Sequence, residues 1–394
     1  MDKLKSFEFN LKTKTKIGVG QALNLGKYLK EFSFKRIGIV VDSGVFNLDY
    51  VKEILESIQK ENFNNIKIWE YNLKREPDYD SLDRIKVDFL DKNSNSLVDC
   101  FIGIGGGSAL DFTKGLATLV VNPGSAITYR GFPENINLSL PIIALPTTAG
   151  TRSEVTYQAV FTDFKEKKKL GINTKNNFPA LAILDPNLTL TCPKSVTISS
   201  GIDALVHTLE SYVSMRANSL TRIFAKEAFR LMFNNLFKVL DNSKNIDIRA
   251  NLQLGAYLAG ISLMNSSAGP AGALSYPFGV HFKVPHGIAG GIFLPYIIEY
   301  NVKNKYNYSE LYDLIEGADK SLNVMEKNQI FSKKLFELCK KIEIPLTLKE
   351  FRVNKNNLNI LLDEVESLEK TFAQNPIPFS VEEGKKLLLK LISN

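Results

Sequence analysis

The chain has 394 residues, 44% hydrophobic and 23% charged, with a formal net charge of +7 and a pI near 9.0. That length holds two domains with substantial cores, and the composition is that of an ordinary soluble globular protein. The lysines are scattered, the one dense run (Lys165-Glu-Lys-Lys-Lys169) contains an acid, and no nucleic-acid motif accompanies it. A charge of this sign could suggest a nucleic-acid partner, but the scatter of the lysines and the lack of a motif argue for a solvated surface whose field favours anionic ligands. No uninterrupted apolar run has membrane-spanning length, and Met1–Glu8 has no apolar leader segment. Three cysteines (Cys100, Cys192, Cys339) are widely spaced and form no CxxC pair. They argue against a disulfide framework or a thiolate zinc site and suit a reducing cytoplasm.

Residues 6–20 read as a short strand pair ending in Lys16-Ile-Gly-Val-Gly20, and Leu23 in the sixth place denies those glycines a dinucleotide fingerprint. Gln21–Phe32 has amphipathic helical spacing. Arg36-Ile-Gly-Ile-Val-Val-Asp42 is a near-continuous apolar run closing on an acid, which predicts a buried parallel strand. A helix over Tyr50–Glu61, a strand over Ile66–Tyr71, a helix over Ser81–Lys92 and a strand over Leu97–Ile104 continue the alternation. Strand–helix alternation at this spacing means an open, doubly wound, mostly parallel sheet of Rossmann-like kind. Ligands on such sheets bind at the carboxyl ends of strands.

After the third strand comes Gly105-Gly-Gly-Ser108, running into a helical Asp111-Phe-Thr-Lys114. Glycines between strand and helix let the backbone approach a pyrophosphate, and the helix N-terminus supplies amide donors; a plain tight turn is the alternative. Asp42, at a strand end, either accepts from a ribose 2′-hydroxyl, which favours NAD over NADP, or caps the next helix. Leu140–Pro146 is a further strand, ending at Thr147-Thr-Ala-Gly-Thr-Arg-Ser-Glu154. Its hydroxyls can hydrogen-bond cofactor phosphate, ribose or carboxamide, or simply make a polar loop. Lys169-Leu-Gly-Ile172 and Leu181–Pro186 finish the sheet-rich half, and the composition shifts near Leu188–Pro193, dividing 1–190 from 191–394.

The second half is helical: Gly201–Arg216, Leu220–Leu240, Ile246–Asn265 and Pro285–Asn301, with Gly269-Pro-Ala-Gly272 breaking the run before Ala273-Leu-Ser-Tyr-Pro277. All three histidines lie here. His207 follows Asp203 by one helical turn in Ser200-Gly-Ile-Asp-Ala-Leu-Val-His-Thr-Leu-Glu-Ser211, so carboxylate and imidazole share a face. His281 and His286 fall together in Gly279-Val-His-Phe-Lys-Val-Pro-His-Gly287. A carboxylate plus imidazoles from two segments is what a Zn or Fe(II) site with open positions needs; local capping and packing is the alternative.

Taken in order, Gly105-Gly-Gly-Ser108 with Asp111 and Lys114, Pro146-Thr-Thr-Ala-Gly-Thr151 with Ser153-Glu154, and Leu184-Asp-Pro186 resemble the iron-dependent (group III) alcohol dehydrogenase family. Gly201-Ile-Asp-Ala-Leu-Val-His207 with Glu210-Ser211, Pro285-His-Gly287 before Leu294-Pro295, and Asn375-Pro-Ile-Pro378 continue the resemblance over nearly the whole chain. It implies a Rossmann-like α/β domain followed by an all-α domain, a dehydroquinate-synthase-like architecture. It also implies NAD(P)-dependent interconversion of a small alcohol with an aldehyde or ketone around one divalent metal, Fe(II) or Zn. Asp203, His207 and His286 are then the metal ligands. Asp42, Gly105, Gly106, Gly107, Ser108, Asp111, Thr147, Thr148, Thr151, Ser153 and Lys169 are assigned to the cofactor. Asn122-Pro-Gly-Ser-Ala126 and Ala273–Pro277 look like members acting on sugar acids or phosphonate aldehydes.

The sequence departs from the family twice. A fourth ligand is expected fourteen residues before His286, where this chain has Gly272. His281 either substitutes for it or relays the substrate proton. Arg152 stands where the family commonly has a small residue; it either clamps a substrate anion or points to solvent. Metal-free redox chemistry on the same fold, a dehydroquinate-synthase-like lyase and an inactive nucleotide-binding relic remain alternatives. A homodimer is an expectation by fold analogy alone.

Overall fold

The computed structural model describes residues 6–72, 76–134, 136–166, 168–353 and 355–393. Met1–Lys5, part of the N-terminal stretch read above, and Lys167 of the basic run lie outside them. Two compact units divide between Cys192 and Pro193, and the segment ending at Asn10 belongs with the second.

The first unit carries β1 (Lys14–Ile17), β2 (Arg36–Asp42), β3 (Asn65–Tyr71), β4 (Cys100–Gly105), β5 (Ile142–Pro146), β6 (Val160–Asp163), β7 (Lys168–Gly171) and β8 (Leu181–Leu184). Six of them form one sheet in the order β1-β8-β5-β4-β2-β3, parallel throughout. Its helices are α1 (Leu25–Leu29), α2 (Ser43–Phe46), α3 (Asp49–Lys60), α4 (Tyr79–Lys86) and α5 (Gly107–Leu119). Both sheet faces are covered, which is why the central strands are apolar without alternation. On one face Leu25, Leu29, Ile54 and Ile58 pack with Ile37, Ile39 and Val41; on the other Leu82, Phe112 and Leu116 pack with Val40 and Phe101. Each such fully buried side chain contributes about 1.5–3 kcal/mol relative to exposure.

The structure departs from the sequence reading in several places. The expected strand pair over 6–20 is a single strand, β1, whose partner is the distant β8. The helix expected over Gln21–Phe32 is a 3-10 turn, Gln21–Asn24, followed by the short α1. Lys169 sits in β7, whose antiparallel partner β6 keeps it out of the main sheet.

The second unit holds α6 (Lys194–Val213), α7 (Ser219–Asn235), α8 (Lys238–Asp241), α9 (Ile246–Met264), α10 (Pro270–Phe282), α11 (His286–Lys303), α12 (Ser309–Tyr312), α13 (Val324–Lys341), α14 (Lys355–Glu366), α15 (Glu369–Phe372) and α16 (Val381–Ser393). The buried α6 packs against α7, α9, α10 and α11. The break expected at Gly269–Gly272 is shorter than predicted. Gly269 caps α10, Pro270 occupies its first turn, and Gly272 is already helical. Proline suits that position because its missing N–H would be unpaired there anyway. Among the described residues no helix is long and apolar enough to cross a membrane.

Candidate active site

Helix α6 presents Asp203 and His207 one turn apart, and α11 begins with His286. Asp203 Oδ1 lies 3.4 Å from His207 Nε2 and 3.7 Å from His286 Nε2, and the three donor atoms fall within 4.8 Å of one another. Gly287 permits this approach. A Cβ there would stand 1.9 Å from the Ser199 carbonyl oxygen and 2.7 Å from Asp203 Cβ, so any side chain would push α11 off α6.

His207 is 5% exposed, and neither of its ring nitrogens has a hydrogen-bond partner among the described residues. Leaving a buried polar group unsatisfied costs about 1–3 kcal/mol. Two imidazoles and a carboxylate, with buried ring nitrogens unpartnered among them, fit a divalent cation. Three protein donors with open positions are also the arrangement of a catalytic rather than a structural site.

Glu210, one turn after His207, is buried and was not assigned a role from sequence. Its Oε1 accepts from the Gly272 N–H at 2.9 Å, and the Gly269 and Ala271 amides also face the carboxylate, which thus caps α10. Burial holds its pKa above the ordinary carboxylate range, against the opposing pull of His207 and those amides. Gly272 adjoins the cluster: a Cβ there would lie 2.9 Å from Glu210 Oε2 and 3.3 Å from His207 Cε1. The position that offers no donor therefore does border the imidazole, and a side chain would have to displace the carboxylate. His281 does not join the donors; its Nε2 lies 2.6 Å from Glu364 Oε1 on α14. Tyr276, also missed, places its ring 4.9 Å from that of His286.

In the first unit the glycine turn sits at the carboxyl end of β4. Gly106 caps α5, and the Thr147 N–H donates to the Gly105 carbonyl at 3.0 Å, joining the turn to the threonine loop. A Cβ on Gly105 would meet Asp42 Cβ at 2.8 Å, so Asp42 lies directly beside the turn. Its Oδ1 accepts from Gly44 N at 2.8 Å, making it a helix cap, and burial raises its pKa. Thr148 and Thr151 face the open sides of Gly106 and Gly107. Tyr71, paired with Asp42 in register and buried at the end of the edge strand β3, turns its hydroxyl toward Ser108; in the sequence it counted only as the end of a strand.

Other assigned residues are occupied by the scaffold. Ser153 Oγ donates to Asp111 Oδ1 at 2.6 Å and Val160 N–H to Oδ2 at 3.0 Å, so this pair fastens the loop to α5. Thr151 Oγ1 donates to Glu154 Oε2 at 2.6 Å. Lys169 Nζ lies 2.8 Å from Glu76 Oε2. Arg152 holds a left-handed φ of 56°, a conformation that costs a non-glycine residue about 1–2 kcal/mol.

Residues 12–186 match the family described as iron-containing alcohol dehydrogenase, and residues 197–392 match its C-terminal counterpart, the Fe-containing alcohol dehydrogenase family. The NAD-dependent methanol dehydrogenase of Bacillus methanolicus is 30% identical over 286 residues, covering 73% of this chain and 74% of that one. The sulfoacetaldehyde reductase of Bilophila wadsworthia is 29% identical over 362 residues, covering 91% and 92%. A solved 1,3-propanediol oxidoreductase matches with a TM-score of 0.89 at 24% identity, covering 98% of this chain and 100% of that one. Fold and relatives together define an oxidoreductase of dehydroquinate-synthase-like architecture. The chain belongs to the iron-containing alcohol dehydrogenase family. That membership implies a small-molecule substrate, NAD and a divalent metal, typically iron.

Proposed function

We propose that the enzyme interconverts a small, negatively charged alcohol and its aldehyde or ketone with NAD, using one divalent cation held by Asp203, His207 and His286. The observation that carries this reading is the convergence of those three donors on a buried imidazole whose nitrogens are otherwise unused. A cation bound there would supply Lewis acidity toward the substrate oxygen.

The chain's own residues do the rest. Gly105, Gly106, Gly107 and Ser108 receive the pyrophosphate at the start of α5. Asp42 uses its second oxygen for the adenosine ribose, a contact that a 2′-phosphate would repel. Thr147, Thr148 and Thr151 surround the nicotinamide half. Bound NAD would supply the hydride acceptor, taking up the electron pair of the carbinol C–H bond in the oxidation direction. The hydroxyl proton passes to His281 Nδ1, with Glu364 orienting the ring through Nε2. Arg152 pairs with the substrate anion, in keeping with the sulfonate that the Bilophila wadsworthia relative's name specifies.

The test is NADH and NADPH consumption with a panel of sulfonated, phosphonated, carboxylated and neutral aldehydes, with and without added Fe(II) or Zn. Turnover preferring anionic aldehydes and NADH is expected. Absence of turnover with every substrate under every metal condition contradicts the reading.

A further inference from the structure

For His286 to face a cation through Nε2 while neutral, its proton must sit on Nδ1. The structure contains a device that puts it there. Ser275 is fully buried on α10, with Oγ 2.5 Å from the Gly272 carbonyl oxygen and 2.7 Å from His286 Nδ1. A hydroxyl has one proton to donate, and a carbonyl can only accept. At 2.5 Å the proton must lie between the two oxygens, since otherwise their lone pairs would oppose each other at short range. Ser275 Oγ is then an acceptor toward the ring, and His286 Nδ1 is the donor. Its lone pair is thereby left on Nε2, the atom 3.7 Å from Asp203 Oδ1.

We infer that Ser275 is a positioning residue that locks His286 in its Nδ1–H tautomer through the relay His286 Nδ1–H to Ser275 Oγ–H to Gly272 C=O. The inference rests on the proposed Asp203–His207–His286 site. It also gives the first turn of α10 a role beyond that of a missing ligand. The Gly272 carbonyl anchors the relay to His286, while its N–H anchors Glu210, whose Oε2 stands 4.0 Å from His207 Nδ1. One helical turn thus anchors both the relay to His286 and the carboxylate that stands near His207, although only His286 is hydrogen-bonded to it. Outer partners of this kind orient metal-binding imidazoles and fix their tautomers.

The experiment uses the full chain labelled with 15N-histidine, metal-free, about two units above the ordinary histidine pKa. With three histidines in the sequence, His281→Ala and His207→Ala assign the ring signals. Wild type should show His286 protonated on Nδ1, whereas Ser275→Ala should lose that preference. Zn2+ affinity, measured by chelator competition, should fall about 10–100-fold in Ser275→Ala. An Nε2–H His286 in wild type overturns the inference, even if the variant fails to fold. So does a Ser275→Ala protein with a lower Tm but an unchanged ring spectrum and Zn2+ affinity, the signature of a purely structural serine. A wild type that binds no Zn2+ contradicts the metal reading instead, and the tautomer measurement still decides the relay.

Discussion

Each unit buries a polar cluster, and the two are finished differently. Around α5, Lys114 Nζ donates to the Thr156 and Gln158 carbonyls at 2.7 and 2.9 Å. Asp111 accepts from Ser153 and Val160, and Glu154 accepts from Thr151. That network is closed by protein groups, as expected of a scaffold that fixes the loop beside the glycine turn. Around α6 the buried His207 nitrogens and Glu210 Oε2 have no hydrogen-bond partner among the described residues. Buried groups left open at such cost mark the place where the fold has been shaped for something other than its own stability.

Filling or removing the open cluster should have the largest effect. His207→Ala should abolish metal retention and lower kcat/KM by at least about 1,000-fold, the equivalent of the several kcal/mol that a Lewis acid supplies. Elemental analysis and steady-state kinetics measure this, and a variant that keeps both metal and rate would remove the distinction between the clusters. Gly287→Ala should destabilise the protein by about 1–3 kcal/mol, because its Cβ has no room against Ser199. Denaturant unfolding reads that loss, and Zn2+ affinity should fall with it as His286 is pushed from Asp203.

Arg152→Ala should reduce kcat/KM for anionic aldehydes about 10–100-fold, the range of a lost charge-assisted hydrogen bond, and leave neutral aldehydes unaffected. Equal losses on both substrate types would give Arg152 a structural role instead.

The closed cluster should show itself through stability against pH. Burial lowers Lys114 to about 8, against about 10.4 in an unfolded chain. Between those values the unfolded chain binds the additional proton, so this residue's contribution to stability rises with pH and is lost as pH falls through 8. Urea midpoints from pH 8 to 10 should therefore climb less steeply in Lys114→Met than in wild type, and parallel slopes would refute the assignment.

Much of this was legible in the sequence because it rests on short-range patterns. The apolar runs closing on Asp42, Gly105 and Pro146 follow from a sheet covered on both faces. The spacing of Asp203 and His207 follows from helical geometry. What joins those pieces was not legible. The pairing of β1 with β8 spans most of the first unit, and no local pattern encodes it. Gly287 stands in the sequence only as part of the Pro285-His-Gly287 motif, and the reason for a glycine there shows only once the Ser199 carbonyl is seen against it. Asp111, Ser153 and Lys169 sit in or near the right segments, yet their polar atoms are engaged by partners far along the chain. Glu210 and Ser275 fall within motifs that carry the resemblance, yet neither drew a role there, because buried polar side chains acquire their meaning only from what packs around them.

The measurement that bears most directly on the account is the metal content of purified wild type and His207→Ala, by elemental mass spectrometry after dialysis without chelator. Wild type should carry about one Fe or Zn per chain and the variant none, because binding must draw on the three converging donors. A wild-type protein that stays metal-free after incubation with Fe(II) or Zn, while still reducing aldehydes, would contradict it. The open cluster would then serve a redox reaction that needs no metal.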